Sequence, residues 1–142
     1  MRRVLIVANR TAGGKHLRDE VAERIKREPH VFTLVVPATP PEGGGAWTDG
    51  QAHAIATRRL DAALSQLRAV GAEIDGLVGT SRPMDAIADV LRTHAFDEII
   101  VSTLPKGASR WLRMDLPHRA ARAFGLPVIH VVAEVGDAAP AA

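Results

Sequence analysis

Cysteine is absent from this 142-residue sequence. That absence excludes disulfides, thiolate metal sites and cysteine nucleophiles. Long apolar runs are missing as well, since none approaches the ~18 residues that a membrane-spanning helix needs. The run at residues 4–8 follows Arg2 and Arg3, but it is too short for the apolar part of a signal peptide. We therefore predict a cytoplasmic protein that does not associate with membranes.

A strong charge of either sign is also missing, because 18 Lys and Arg stand against 16 Asp and Glu. The formal net charge of +2 and the aromatic share of 4% argue against nucleic-acid binding, which relies on dense positive charge and often on base stacking. Hydrophobic residues make up 46%, which is enough for one packed domain at this length. We predict that domain over residues 1–135 and a disordered tail over residues 136–142.

Five short apolar segments predict five β-strands. The first, at residues 4–8, is a continuous apolar run, which is typical of a strand buried on both faces of a parallel sheet. The others are predicted at residues 31–36, 72–78, 98–102 and 127–132. Helical patterns lie between them, so the order is β-α-β-α-β-α-β-α-β. Such alternation predicts a parallel sheet with helices on both faces.

Local signals indicate where the helices begin and end. Thr48 and Gln51 have the spacing of a capping box, and Gly71 suits the position just after the same helix. Pro83 opens the third helix. Residues 37–50, with three prolines and three consecutive glycines, predict a long flexible loop that is either a lid or a solvated connection. The inner face of the third helix is predicted to consist of apolar residues: Ile87, Leu91 and Ala95.

The loops after the first and fourth strands are the candidate ligand site. For a strand order of 3-2-1-4-5, the topological switch point lies between these strands, and ligands bind there in open parallel sheets. Each loop combines glycine, a hydroxyl group and a cation, which suits a phosphate group. The alternative is that Gly13 and Gly14 only shape a tight strand-to-helix turn. The candidate ligand-binding residues, with Val36 and Gly79 at the ends of two further strands, are Asn9, Arg10, Thr11, Thr103, Lys106, Gly107, Ser109 and Arg110.

Motifs for catalysis and metal binding are missing or incomplete. The first loop is not a P-loop, because Asn9 replaces the first glycine and His16 stands where Ser or Thr would hold magnesium. No Gly-x-Ser-x-Gly motif is present, and no two of the six histidines have metal-ligand spacing. We therefore predict no catalytic residue and no metal site.

Residues 109–119 form the most distinctive segment of the chain. Trp111 and Leu112 stand between Arg110 and Arg113, and the two arginines fall on one side of a helical turn. Two interpretations stay open. The segment is either an anion or partner site, or a packed cover over the sheet with solvated arginines.

Five segments share the order and spacing of one family's motifs. They are an apolar first strand at residues 4–9, a long helix at residues 48–70, Gly followed by Pro-x-x-x-Ile at residues 79–87, Asp-Glu-Ile-Ile-Val at residues 97–101 and Leu-Pro-Val-Ile-His-Val-Val at residues 126–132. In these segments the chain resembles the universal stress protein family. The resemblance implies a three-layer α/β sandwich with a five-stranded parallel sheet in the order 3-2-1-4-5, and a role in the stress response.

The ATP-binding motif of that family is missing here. Members that bind ATP carry Gly-x-x-Gly, nine residues and then Gly-Ser/Thr after the fourth strand. This chain has Thr103 and Lys106 at the first glycine positions, Leu116 and Pro117 at the last pair, and Asn9 where the first strand usually ends in Asp. The resemblance therefore implies a non-catalytic ligand-binding or interaction module without tight ATP binding and without a cofactor. The alternative is a protein that binds a nucleotide or another phosphoanion with the loops after strands 1 and 4.

The resemblance also implies a homodimer, because members of the family commonly pair through their last strand. In this chain that strand is predicted at residues 127–132, and it is apolar enough to form an exposed sheet edge. The sequence does not indicate any other protein partner.

Overall fold

The chain forms a parallel β-sheet between two layers of helices, which a computed structural model describes over residues 1–40 and 47–139. The strands are β1 (Arg2–Val7), β2 (His30–Pro37), β3 (Ile74–Gly79), β4 (Glu98–Thr103) and β5 (Val128–Val132). The helices are α1 (Lys15–Arg27), α2 (Asp49–Ala69), α3 (Pro83–Thr93), α4 (Arg110–Arg113) and α5 (Leu116–Phe124). In the part of the chain that the structure describes, no helix has the length and apolar character that crossing a bilayer requires. The strand order is β3-β2-β1-β4-β5 with every pair parallel, which confirms the predicted fold class.

Strand β1 lies at the centre of the sheet and is buried on both faces. Val4 and Ile6 belong to the core cluster shared with α1 and α2, whereas Leu5 and Val7 belong to the cluster shared with α3 and α5. All four side chains are 0% exposed. Burying an aliphatic side chain of this size stabilises a fold by ~1.5–3 kcal/mol. A continuous apolar run, rather than an alternating one, is therefore what this position requires.

The helix ends follow the local sequence signals. The Thr48 side chain accepts a hydrogen bond from the Gln51 backbone N–H (3.0 Å), and the Gln51 side chain accepts one from the Thr48 N–H (2.8 Å). This capping box confirms the predicted start of α2. Gly71 follows α2 with a φ of +99°, a conformation that glycine adopts without strain. Pro83 is the first residue of α3, as predicted.

The predicted inner face of α3 is correct for two of its three residues. Ile87 and Leu91 pack in the core cluster on that side of the sheet. Ala95 does not, because the helix ends at Thr93 and Ala95 is exposed beyond it. The backbone becomes extended at His94 (φ −137°, ψ 145°), which takes the chain off the helix axis before it enters β4.

The segment after β5 contacts the rest of the domain over residues 136–139 of the predicted tail. Val135–Asp137 form a 3₁₀ turn. The Ala139 N–H donates to the Arg10 carbonyl (2.8 Å), and Arg10 Nε donates to the Ala139 carbonyl (2.9 Å). Residues 136–139 therefore lie against the β1–α1 loop. The rest of the predicted tail, and residues 41–46 of the predicted loop, lie outside the described residues.

A buried ion network lies at the amino-terminal end of β4. Glu98 is 4% exposed and accepts hydrogen bonds from Arg2 Nε (2.8 Å) and from both terminal nitrogens of Arg24. Arg24 is 7% exposed, and its Nε donates to Glu20 (2.7 Å). The network joins β1, β4 and α1 at the end of the sheet opposite the candidate ligand site.

Candidate functional site

A small pocket opens at the carboxyl ends of β1 and β4, which is the topological switch point of this sheet. Its volume is about 100 Å³. The loops after β1, β2 and β4 form its walls, and α2 contributes one side chain. The structure thus brings together the two loops that the sequence indicated. Six of the predicted site residues line the pocket: Asn9, Arg10, Thr11, Thr103, Ser109 and Arg110.

Asn9 is held in place through both ends of its side-chain amide. Its Nδ2 donates to the Pro37 carbonyl (2.8 Å), and its Oδ1 accepts from Arg59 Nη1. A neutral amide makes both bonds because it carries a donor and an acceptor, whereas a carboxylate has no donor for the Pro37 carbonyl. Asn9 therefore links the end of β1 to β2 and α2.

Two hydroxyl contacts close the base of the pocket. Thr11 Oγ1 and Ser102 Oγ lie 2.6 Å apart and share a buried hydrogen bond between the first loop and β4. Thr103 Oγ1 donates to the Leu104 carbonyl (2.8 Å) and lies 2.7 Å from His130 Nε2. Thr103 has one hydroxyl proton, so a bond from this hydroxyl to the Leu104 carbonyl requires that His130 donate from Nε2. These hydroxyls position the loops.

The segment after β4 both covers the sheet and lines the pocket. Ser109 caps α4, since its Oγ accepts the backbone N–H three residues later (3.2 Å). Trp111 is 8% exposed and packs in the core cluster with α3 and α5. Arg110 lines the pocket, and its Nη1 lies 3.5 Å from the Pro40 carbonyl. Trp111 therefore belongs to a packed cover over the sheet, whereas Arg110 is placed where it could contact an anion in the pocket.

The lining of the pocket is positively charged. Arg10, Arg59 and Arg110 line it, and none of the described lining residues is a carboxylate. Burial lowers the pKa of Arg59, and the charges of Arg10 and Arg58 lower it further. Both causes disfavour a charged guanidinium at this position. An anion between Arg10 and Arg59 would offset the repulsion between their charges.

Four of the predicted site residues lie away from the pocket lining. Lys106 is exposed, and Gly107 has a φ of +92° in the turn before α4. Val36 is 0% exposed in the core. Gly79 allows β3 and α3 to approach closely, because an added Cβ there would lie 2.7 Å from the Cβ of Ala86. A role in ligand binding stays a prediction for these four residues, and the pocket forms without them.

Arg59 is a pocket residue that the sequence reasoning did not identify. It lies on α2 four residues after Ile55 and four before Ala63, and both of these are buried. This spacing places Arg59 within the apolar stripe of an amphipathic helix. A cation in that stripe was the sequence signal that could have identified it. Its contact with Asn9 depends on how α2 is rotated against the sheet, and a local pattern does not specify that rotation.

The fold is similar to that of solved universal stress proteins. No protein-family model matches the chain, and no curated protein matches it. The chain is similar to the structure of a universal stress protein from Archaeoglobus fulgidus, with a TM-score of 0.62, 19% sequence identity and coverage of 92% of this chain and 93% of that one. It is also similar to the structure of the universal stress protein from Archaeoglobus fulgidus in complex with dAMP, with a TM-score of 0.62, 20% identity and coverage of 92% and 97%. At this identity the similarity concerns the fold alone.

Proposed function

We propose that this chain is a non-catalytic, universal stress protein-like domain that holds a phosphate group of a small ligand in the pocket after β1 and β4. The observation that carries the proposal is the convergence of Arg10, Arg59 and Arg110 on one small pocket at the switch point of the sheet. Guanidinium groups bind phosphate through charge-assisted hydrogen bonds, which are often bidentate. A bound phosphate also offsets the repulsion between Arg10 and Arg59.

The pocket suits one phosphate group rather than a whole nucleotide. Clefts that bury a drug-sized ligand have volumes of ~300–1,000 Å³, several times the 100 Å³ of this pocket. The remainder of a phosphate ester would lie outside, next to the loop that carries Thr39 and Pro40. The dAMP in the complex of the Archaeoglobus fulgidus protein supports a nucleoside monophosphate as one ligand of this class.

Tight binding of ATP in the mode of the ATP-binding universal stress proteins is not part of the proposal. Asn9 stands where those proteins have Asp, and its amide is already bonded to Pro37 and Arg59. At the positions of their last Gly-Ser/Thr pair, Leu116 is 0% exposed and Pro117 has no N–H to offer a phosphate. We therefore expect the phosphate contacts to come from side chains.

Replacing Arg110 with glutamine should weaken the binding of inorganic phosphate and of AMP by at least about tenfold. The expected loss corresponds to one charge-assisted hydrogen bond, worth ~1.5–3 kcal/mol. Arg110 is exposed at the mouth of the pocket, so the fold should tolerate the change. Isothermal titration calorimetry at a fixed ionic strength gives both dissociation constants.

Arg113→Gln is the matched control for this experiment. Arg113 lies in the same short helix and carries the same charge, but it does not line the pocket. At 0.15 M salt, where exposed charges are screened over ~8 Å, it should leave both constants nearly unchanged. Equal losses in the two variants would show that only net charge matters and would contradict the proposal.

A second copy of the chain is the partner that we propose for β5. This strand ends the sheet, so one of its sides has no neighbouring strand among the described residues. Ile129, Val132 and Val135 are exposed hydrophobic residues in and just after the strand. Pairing of two copies along β5 would satisfy the backbone groups of this edge and cover those side chains.

Replacing Val132 with lysine should convert the dimer to a monomer at micromolar concentration, because a charged side chain at a sheet edge opposes pairing. Val132 is 43% exposed, so the substitution spares the core. Leu77→Lys is the control, since Leu77 is 39% exposed on β3 at the other edge of the sheet. Light scattering during size-exclusion chromatography measures the masses. A monomeric unmodified protein, or a dimeric Val132→Lys variant, would contradict pairing through β5.

A further inference from the structure

A second, larger cleft lies against the first loop. Its volume is about 500 Å³, within the ~300–1,000 Å³ typical of small-molecule sites. The β1–α1 loop, the middle of α2 and residues 136–139 form its walls. Asn9, Arg10 and Arg59 line both this cleft and the pocket after β4, so these three side chains stand between the two cavities.

The segment after β5 is a fixed wall of this cleft. Ala139 and Arg10 are joined by two hydrogen bonds, one from the Ala139 N–H (2.8 Å) and one from Arg10 Nε (2.9 Å). The carboxylate of Asp137 accepts the N–H of Lys15 at the start of α1. These contacts hold residues 136–139 across the loop, and the cleft depends on their position.

Positive charge dominates the lining of the cleft. Arg10, Arg18, Arg58 and Arg59 line it, whereas Asp137 is the single carboxylate that does so among the described residues. The Nε of Arg18 donates to a carbonyl of the preceding loop (3.1 Å), which holds this guanidinium over the loop. Four cations against one anion make the cleft a region of positive potential.

The arginines that line the cleft repel one another. Burial lowers the pKa of Arg59, and the neighbouring charges of Arg10 and Arg58 lower it further, so a negatively charged ligand beside these side chains would offset part of their repulsion. Gln66 supplies an amide at the edge of the cleft. Small residues are also part of the lining and take up little of its volume: Gly13, Gly14, Ala62 and Ala63.

We propose that this cleft is a second ligand site, which takes a compact ligand with more than one negative charge, with a diphosphate group as its chemical class. Arginine forks bind phosphate oxygens in pairs, and four of them around 500 Å³ exceed what a single phosphate group needs. The cleft uses Arg18 and Arg58, which do not line the smaller pocket. The inference therefore goes beyond the proposed function, although the two cavities share Arg10 and Arg59.

Titration of ¹⁵N-labelled protein with inorganic pyrophosphate tests both cavities at once. The side-chain amide of Gln66 reports on the cleft, and the indole N–H of Trp111 reports on the smaller pocket. Arg18→Gln should raise the dissociation constant read at Gln66 about tenfold and leave any constant read at Trp111 unchanged. Arg110→Gln should instead raise the constant read at Trp111 and leave the constant read at Gln66 unchanged. Arg27→Gln, in the last turn of α1, is the control for net charge.

Removing a negative charge from the cleft, rather than a positive one, distinguishes an electrostatic effect on binding from damage to the fold. Asp137→Asn removes a carboxylate from the cleft but keeps an oxygen that accepts the Lys15 N–H. Pyrophosphate should then bind about fivefold more tightly, as expected from removing one nearby like charge under screening. Damage to the fold would instead make Asp137→Asn and Arg18→Gln change the affinity in the same direction, and that result would overturn the inference.

The remaining outcomes are also decisive. The inference is wrong if pyrophosphate leaves the Gln66 signal unmoved, if Arg18→Gln does not weaken the binding read there, or if Arg27→Gln weakens it equally. A missing response at Trp111, with intact and Arg18-dependent binding at Gln66, would support the second site and count against the proposed function alone.

Discussion

Glu98→Ala is expected to lower the free energy of unfolding by about 3 kcal/mol, as for other buried ion pairs that lose one partner. Glu98 is 4% exposed and accepts hydrogen bonds from Arg2 and Arg24. Its removal leaves the Arg24 guanidinium, itself 7% exposed, with Glu20 as its remaining carboxylate. Urea unfolding followed by circular dichroism measures the change.

Two further variants make this result interpretable. Asp89→Ala breaks an exposed pair with Arg92 and should cost less than about 1 kcal/mol. Replacing Glu98 with leucine and Arg24 with methionine together should recover part of the loss, because no unpaired charge is then left buried. If Glu98→Ala costs no more than the Asp89 control, the network does not stabilise the fold as we infer.

The stabilisation that Glu98 contributes should depend on pH. Burial alone raises the pKa of Glu98, but the hydrogen bonds from Arg24 and Arg2 outweigh it, so that the pKa lies below its ordinary value of 4.5. A carboxyl whose pKa is depressed by folding contributes stability above its unfolded-state pKa and loses it as the pH falls through the folded-state value. The gap between the unmodified protein and Glu98→Ala should therefore be full at neutral pH and narrow below pH 4.5.

Gly79→Ala should lower the free energy of unfolding by about 2 kcal/mol, because it overpacks a filled contact. A Cβ at this position would lie 2.7 Å from the Cβ of Ala86 and 2.9 Å from Cγ2 of Val35. Ala86 is 1% exposed on α3 and Val35 is 0% exposed on β2, so neither can move without shifting an element of the fold. Thermal unfolding and urea titration both report the loss.

Gly50→Ala is the control for a glycine with space around it. The nearest atom to its added Cβ is Thr48 Oγ1, at 3.8 Å, and alanine favours the first turn of α2. It should stabilise the protein by about 0.5 kcal/mol. If Gly79→Ala instead preserved stability and weakened phosphate binding, Gly79 would be a ligand residue, as its position at a strand end suggested.

The architecture could be predicted from the sequence because each piece of it has a local cause. The continuous apolar run in β1 reflects burial on both faces, which only a central strand of a covered sheet has. Thr48 and Gln51 determine the start of α2 through bonds between residues three apart. The end of α3 has no such local signal. The backbone becomes extended at His94, and the prediction that Ala95 belongs to the inner face of the helix was therefore wrong.

The candidate site could be predicted only in part, because its remaining members come from distant segments. The two switch-point loops were predicted from topology, and Thr11 and Ser109 indeed line the pocket. Arg59 reaches it from the middle of α2 and bonds to a residue 50 positions away. The placement of residues 136–139 likewise depends on the contact of Ala139 with Arg10, 129 positions distant, and no local propensity encodes such a contact.

The central position of β1 has a consequence for the protein's synthesis. It leaves the ribosome well before β4, one of its two partners, which pairs Val4 with Glu98. The apolar part of β1 therefore keeps one unpaired side until β4 has been synthesised, and an unpaired apolar strand favours aggregation or recruits chaperones. Arg2 and Arg3 directly precede the apolar run, the position at which charged residues oppose aggregation of a hydrophobic segment, and Arg2 pairs with Glu98 in the folded chain.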